Sequence, residues 1–248
     1  MSSSLLTTAL PPGVKMASEY TDADGVNLLV FGYPGVGKTT FITKAQDHEY
    51  GRDVILLDFE KGIRSVSDRD DVAVYRPPNN NWNDVENIKR WLLSADHGYK
   101  TIGVDTLTSL QQLAVESVTS GQPSQPEWGK ANEKVLKLVR DFKELSVTKG
   151  INVLFTAHAK EIKDKDGDVY IRLDLTPQVE NGVQRIVDAL GYLEVDPTGK
   201  TGTRNMLFKK TRKVLAKYRQ PESGPQLPLE IKDPSLGMIL DHIHKGKE

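Results

Sequence analysis

The chain has 248 residues, 38% hydrophobic and 27% charged, which suits one large α/β domain or a domain with small attachments. A formal net charge of −1 excludes nucleic-acid binding through bulk basicity, so any such site must be local. Cysteine is absent, which excludes disulfides and thiolate metal sites and suits a reducing cytosol, and no apolar run is long enough to span a bilayer.

Residues 1–24 are rich in Ser, Thr and Pro without periodicity, and no basic region precedes their short apolar stretch. A flexible tail rather than a signal peptide is expected, on a soluble cytoplasmic protein. The apolar run Asn27 to Phe31 predicts a buried parallel strand. It leads into Gly32-Tyr33-Pro34-Gly35-Val36-Gly37-Lys38-Thr39, which reads G-x-x-x-x-G-K-T, the P-loop pattern. A helix starting inside the motif and carrying Thr40, Phe41 and Ile42 to about Ala45 completes the expected strand–loop–helix context. Glycines let successive backbone N–H groups close on a phosphate without an intervening side chain. Lys38 reaches the β- and γ-phosphates, and the Thr39 hydroxyl is offered to Mg²⁺. The motif therefore implies ATP or a related nucleoside triphosphate, and is silent on what its energy is used for.

A second buried strand, Asp53 to Asp58, ends in Asp58-Phe59-Glu60, where open α/β sheets place their ligands. A third short strand, Val72 to Tyr75, precedes a helix over 82–94 with Val85, Ile88, Trp91 and Leu92 on one face. The strand Lys100 to Asp105 ends in a carboxylate, the Walker B pattern that helps hold Mg²⁺. The competing reading is an Asp that caps the next helix, a role open to Thr106 or Thr108. Leu107, Leu110, Leu113, Ala114 and Val118 line that helix. A Gly/Pro loop over 120–129 carries Trp128, and a helix follows from about Ala131 to Thr148. Ile151 to Thr156 is another buried strand with Ala157-His158 at its tip. Residues 162–175 read as a hairpin turning at Asp166-Gly167, a better fit to Asp164, Asp166 and Asp168 than a calcium loop, which would need its Gly elsewhere and a late Glu. A helix over 177–189 and strands over 190–195 and 205–209 come next. From Arg204 to Arg219 seven cations occur with no acid, a concentrated local field. The Pro-rich remainder from Gln220 ends in a short amphipathic stretch of no assigned role.

The ordered set of P-loop, strand ending Asp-Phe-Glu, strand ending Asp105, strand ending Ala-His, hairpin and basic Lys-Tyr-Arg resembles the RecA-like ATPase core. More narrowly it is similar to phage-encoded RecA-like nucleotide-binding proteins of the AAA-domain type, some of which anneal single strands. The resemblance implies an α/β fold: a mainly parallel sheet flanked by helices, with C-terminal β-hairpin additions. It implies an ATPase domain over 25–232 and a C-terminal tail over 233–248. It puts Glu60 at the position of the catalytic glutamate that polarises water, with Asp58 as competitor, and Asp105 at the Walker B acid. His158 falls where a polar γ-phosphate sensor lies, although Ala rather than Asn precedes it and an ordinary strand-end histidine is the alternative. Lys217 and Arg219, two apart on a strand, share a side and fit a pair of cations that completes a neighbouring subunit's site. The loops at 120–130 and 160–182 match the DNA-contacting loops of such proteins. Trp128 stacks on a base in that reading, or packs internally in the other. The expected cofactors are ATP and Mg²⁺, and the expected partners are single-stranded DNA and further copies of the chain in a ring or filament. No N-terminal oligomerisation domain is recognisable, so a minimal core is expected, in a bacterial cytoplasm if phage-encoded. A helicase-like motor and a P-loop small-molecule kinase are the rival functions, with a nucleotide-gated scaffold as a third.

Overall fold

The computed structural model describes residues 25–196, 202–209, 211, 213–218 and 227–244. Strand β1 (Asn27–Gly32) is buried along its whole length and lies centrally, between β5 (Asn152–Lys163) and β7 (Ala189–Val195). Beyond β5 come β4 (Thr101–Asp105), β2 (Val54–Asp58) and β3 (Ala73–Tyr75), and all six strands run parallel. On the other side β8 (Arg204–Leu207) and β10 (Glu230–Lys232) extend the sheet antiparallel. Strand β6 (Val169–Leu173) folds back on β5 as a hairpin, and β9 (Lys217–Tyr218) pairs the start of β7. The architecture is α/β, with a mostly parallel mixed sheet flanked by helices.

Period-two alternation sends side chains from each strand to both faces. Leu29, Phe31, Ile102, Val104, Val153 and Phe155 point to one face, which is covered by α2 (Trp82–Ser94), α3 (Leu107–Glu116), α4 (Gln125–Lys149) and α5 (Pro177–Ile186). Leu28, Val30, Leu56 and Leu154 point to the other, covered by α1 (Lys38–Thr43) and α6 (Leu236–His244). Burial on both faces explains why these strands read as continuous apolar runs. Helix α1 sits so close to β4 that a Cβ on Gly103 would lie 2.2 Å from Ile42 Cγ2. That approach brings the helix carrying Lys38 and Thr39 over the strand carrying Asp105.

Several boundaries differ from the sequence expectation. Helix α4 begins at Gln125, because Ser124 and Glu127 form a capping box and Pro126 is tolerated in a first helical turn. Trp128 therefore lies half-buried on α4 and not in a loop. Strand β5 continues past Thr156 to Lys163, since β6 pairs with its outer half. Residues 236–244, expected as part of a tail, form α6, whose Leu236, Ile239 and Leu240 are fully buried. The expected tail at 1–24 lies outside the described residues.

Candidate active site

The parallel register brings the strand ends to one edge: Gly32 pairs with His158 and Asp58 with Asp105. Immediately beyond Gly32 the P-loop turns through Gly35 and Gly37 at φ 78° and 102°, values open to glycine at little cost. Lys38 is buried, and its ammonium donates to Gly32 O at 3.0 Å and Tyr33 O at 3.1 Å, so it is folded back across its own loop. Burial lowers its pKa, with Asp105 and Glu60 acting in the opposite direction.

Asp105, 2% exposed, takes two hydroxyl donors. Thr39 Oγ1 donates to Oδ2 at 2.6 Å, and Thr156 Oγ1 donates to Oδ1. Burial pushes its carboxyl up, while both hydroxyls pull it down. Helix capping is not its task, because Thr106 fills the N-cap of α3 and accepts from Ser109 N. A Thr hydroxyl beside a carboxylate is the hard-oxygen set that suits Mg²⁺, which otherwise keeps waters and substrate phosphates. Among the described residues no group of three or more His, Cys, Asp or Glu could hold a metal alone, so such an ion would depend on the nucleotide as well.

Glu60 follows β2 across the cleft, and Glu60 Oε1 lies 2.8 Å from His158 Nε2. That hydrogen bond is the main reason Glu60 sits below the ordinary glutamate range. An ionised carboxylate only accepts, so Nε2 carries the proton, and Nδ1 is buried with no partner. The backbone N–H of His158 donates to Thr108 Oγ1. Asp58, the competing acid, is 1% exposed and occupied: it accepts from Gly62 N at 3.0 Å and pairs with Arg76 at 3.1 Å. It shapes the turn that presents Glu60. These groups surround a cleft of ≈ 460 Å³ that includes Lys38, Thr39, Glu60, Asp105 and His158.

The structure does not bring Lys217 to this cleft. Its ammonium donates to Gln184 O and Val187 O at the end of α5, and β9 pairs with Ala189 and Leu190, at the opposite edge of the sheet. Arg219 lies outside the described residues. Sequence reasoning singled out neither Thr156, whose hydroxyl aims Asp105, nor Arg204, which borders the P-loop; the first looks like any strand threonine and the second was hidden in a basic run. The hairpin aspartates serve the turn, with Asp164 accepting from Asp166 N, Asp168 N and Tyr170 Oη.

Residues 24–220 match the family model described as an AAA domain. The chain belongs to the AAA domain family. With its P-loop, this AAA domain is of the P-loop ATPase type. Among solved structures it is similar to a KaiC-like protein from the hyperthermophilic archaeon Pyrococcus horikoshii OT3, at 18% identity and TM-score 0.46, over 85% of this chain and 90% of that one. No curated protein matches the sequence. Among the described residues no helix is long and apolar enough to cross a membrane.

Proposed function

We propose that this AAA domain is a Mg²⁺-dependent ATPase that acts on single-stranded DNA, in recombination or annealing of the phage type. The observation that carries the reading is the convergence of Lys38, the Thr39–Asp105 pair and the Glu60–His158 pair around one cleft. In it, the P-loop N–H groups and Lys38 bind the phosphates, and Glu60 orients the attacking water. Bound Mg²⁺ would supply charge neutralisation between the phosphates, held on Thr39 and Asp105. His158 holds Glu60 until nucleotide enters.

The DNA part of the reading rests on the β5–β6 hairpin. Lys163 and Lys165 are exposed on it, and Lys213 of the basic segment lies alongside, its O accepting from Ile171 N at 2.8 Å. The hairpin also touches the P-loop, since Tyr33 Oη donates to Glu161 Oε1 at 2.9 Å. The nucleotide cleft, at His158, and the hairpin, from Ala159 onward, are thereby consecutive parts of one strand, β5. Oligomers with shared sites remain part of the proposal. Phosphate release, measured with and without single-stranded DNA, is the test: DNA-stimulated turnover is expected. Turnover indifferent to DNA but dependent on a small-molecule acceptor would favour the kinase reading.

A further inference from the structure

Arg204 opens β8, beside the P-loop of its own chain. Its Nε donates to Val36 O at 2.7 Å and its Nη1 to Gly202 O at 3.3 Å. The root of the side chain is clamped: Arg204 N donates to Asp233 Oδ1 at 3.0 Å, and Asp233 N donates to Arg204 O at 2.7 Å. A Cβ on Gly37 would lie 2.7 Å from Arg204 Nε, so loop and guanidinium are in close contact. Arg69, Arg76 and Arg140 are each paired with a carboxylate. Among the described residues the Arg204 guanidinium has no such partner, although it lies half-buried at the mouth of an anion cleft. A cation fixed in place without an anion has its charge-assisted hydrogen-bonding capacity in reserve.

Its location says which part of a nucleotide it faces. The cleft's far end holds Glu60, Asp105 and His158, where a terminal phosphate must lie for hydrolysis. Arg204, Gly37 and Thr40 line the same cleft but, unlike those three, also face an adjoining notch. The notch is shallow, ≈ 50 Å³, and is walled also by Lys44, Leu193 and Pro234. A nucleotide laid with its last phosphate toward Glu60 leaves the cleft past Arg204 and lies over this notch.

We propose that Arg204 is a nucleotide-binding residue acting in cis, its guanidinium on the α-phosphate side of the cleft, and that the nucleoside lies over the adjoining open notch. The inference rests on the ATPase reading and adds to it a contact made by ADP and ATP alike. Unlike a cation supplied by a neighbour, it operates in an isolated chain.

The experiment titrates wild type, Arg204→Ala, Arg204→Lys and Lys44→Trp with fluorescent N-methylanthraniloyl-ADP and -ATP in Mg²⁺, and follows ATP turnover and thermal unfolding of each. Loss of a charge-assisted contact in Arg204→Ala should weaken ADP and ATP together by about tenfold to a hundredfold. KM should rise with kcat nearly unchanged, and Arg204→Lys should recover part of the affinity. Lys44→Trp, at an exposed position, should fill the notch and weaken both nucleotides. Unchanged ADP affinity in Arg204→Ala, or weakening confined to ATP, overturns the assignment of Arg204. Unchanged ADP affinity in Lys44→Trp overturns that of the notch. If wild type itself binds neither nucleotide, the ATPase reading fails first, which separates the two failures.

Discussion

His158 Nε2 lies 2.8 Å from Glu60 Oε1, joining the middle of β5 to the segment just past β2 across the mouth of the cleft. The two side chains meet because the parallel register sets His158 beside Gly32, at the edge where β1, β2 and β4 end. A glutamate held by a histidine is fixed in direction and kept ionised, but it is also occupied. Glu60→Gln should bind ATP with near wild-type affinity and hydrolyse it about 10²–10⁴ times more slowly, the span associated with a positioned base. Equilibrium binding and single-turnover hydrolysis of the same preparation separate these effects. Loss of binding instead would make Glu60 a structural residue.

The same pair gives a pH dependence of stability. Glu60 lies below the ordinary glutamate range in the folded chain, chiefly through His158. A depressed carboxyl contributes stability that is fully present above the unfolded value of about 4.3 and is lost as pH falls through the lower folded value. The Tm difference between wild type and Glu60→Gln should shrink as pH falls below about 4. Asp105 is shifted upward and acts in the opposite sense, but it is common to both proteins and largely cancels in the difference. A difference that does not shrink below about pH 4 would contradict the assignment.

The central fold was legible because buried parallel strands are apolar on both faces and reach the cleft at residues with a chemical reason to be there: Gly32, Asp58, Asp105 and His158. The P-loop was legible because few residue types satisfy its backbone. Boundaries failed where a local cap overrode composition, as at Ser124 and Glu127, which start α4 within a stretch whose Gly and Pro suggest a loop. The last strand and helix escaped because β10 has only three residues and α6 gains its stability from packing Leu236, Ile239 and Leu240 under the sheet, a tertiary effect. Thr156 and Arg204 could not be singled out, since what matters is the atom each one faces.

Thr156 and Asp105 form a unit that can be probed alone. Thr156→Val keeps the shape and removes the hydroxyl donor to a buried carboxylate. The cost should be about 1.5–3 kcal/mol in stability, as for hydrogen bonds to charged groups. The Mg²⁺ concentration giving half-maximal ATP turnover should also rise, because Asp105 loses one of the two groups that aim it. Chemical denaturation and a Mg²⁺ titration read the two effects; an unchanged Mg²⁺ requirement would confine Thr156 to a structural role.

The hairpin prediction concerns coupling. Glu161 lies outside the cleft and accepts from Tyr33 Oη. Glu161→Ala should preserve basal ATP turnover and diminish its stimulation by single-stranded DNA. DNA affinity itself should fall with salt along a log–log slope of about −0.7 per phosphate contacted. Salt-independent binding, or full stimulation in Glu161→Ala, would remove the hairpin from the mechanism.

Lys217 and Arg219 require a different design, because Lys217 already has a structural post. Its ammonium donates to Gln184 O at 2.5 Å and Val187 O at 2.8 Å, where the carbonyls of α5 run out of helical donors. Lys217→Ala should therefore lower stability by about 0.3–1 kcal/mol whatever its part in catalysis, the usual value of a cation at a helix C-terminus. A loss of activity in that variant says nothing about a neighbour's site. Arg219 is the informative member. Lys38→Ala retains Arg219 but has a dead site, and Arg219→Ala retains a good site but lacks the cation. If Arg219 reaches a neighbour, mixing the two inactive proteins creates interfaces that combine an intact site with an intact cation, and ATP turnover should return. An arginine supplied in this way is worth roughly 10³–10⁵ in rate, so even a minority of such interfaces is measurable. Recovery should depend on protein concentration, since it requires assembly. If the proteins co-assemble, as light scattering would show, and no turnover returns, Arg219 acts on its own chain or on DNA.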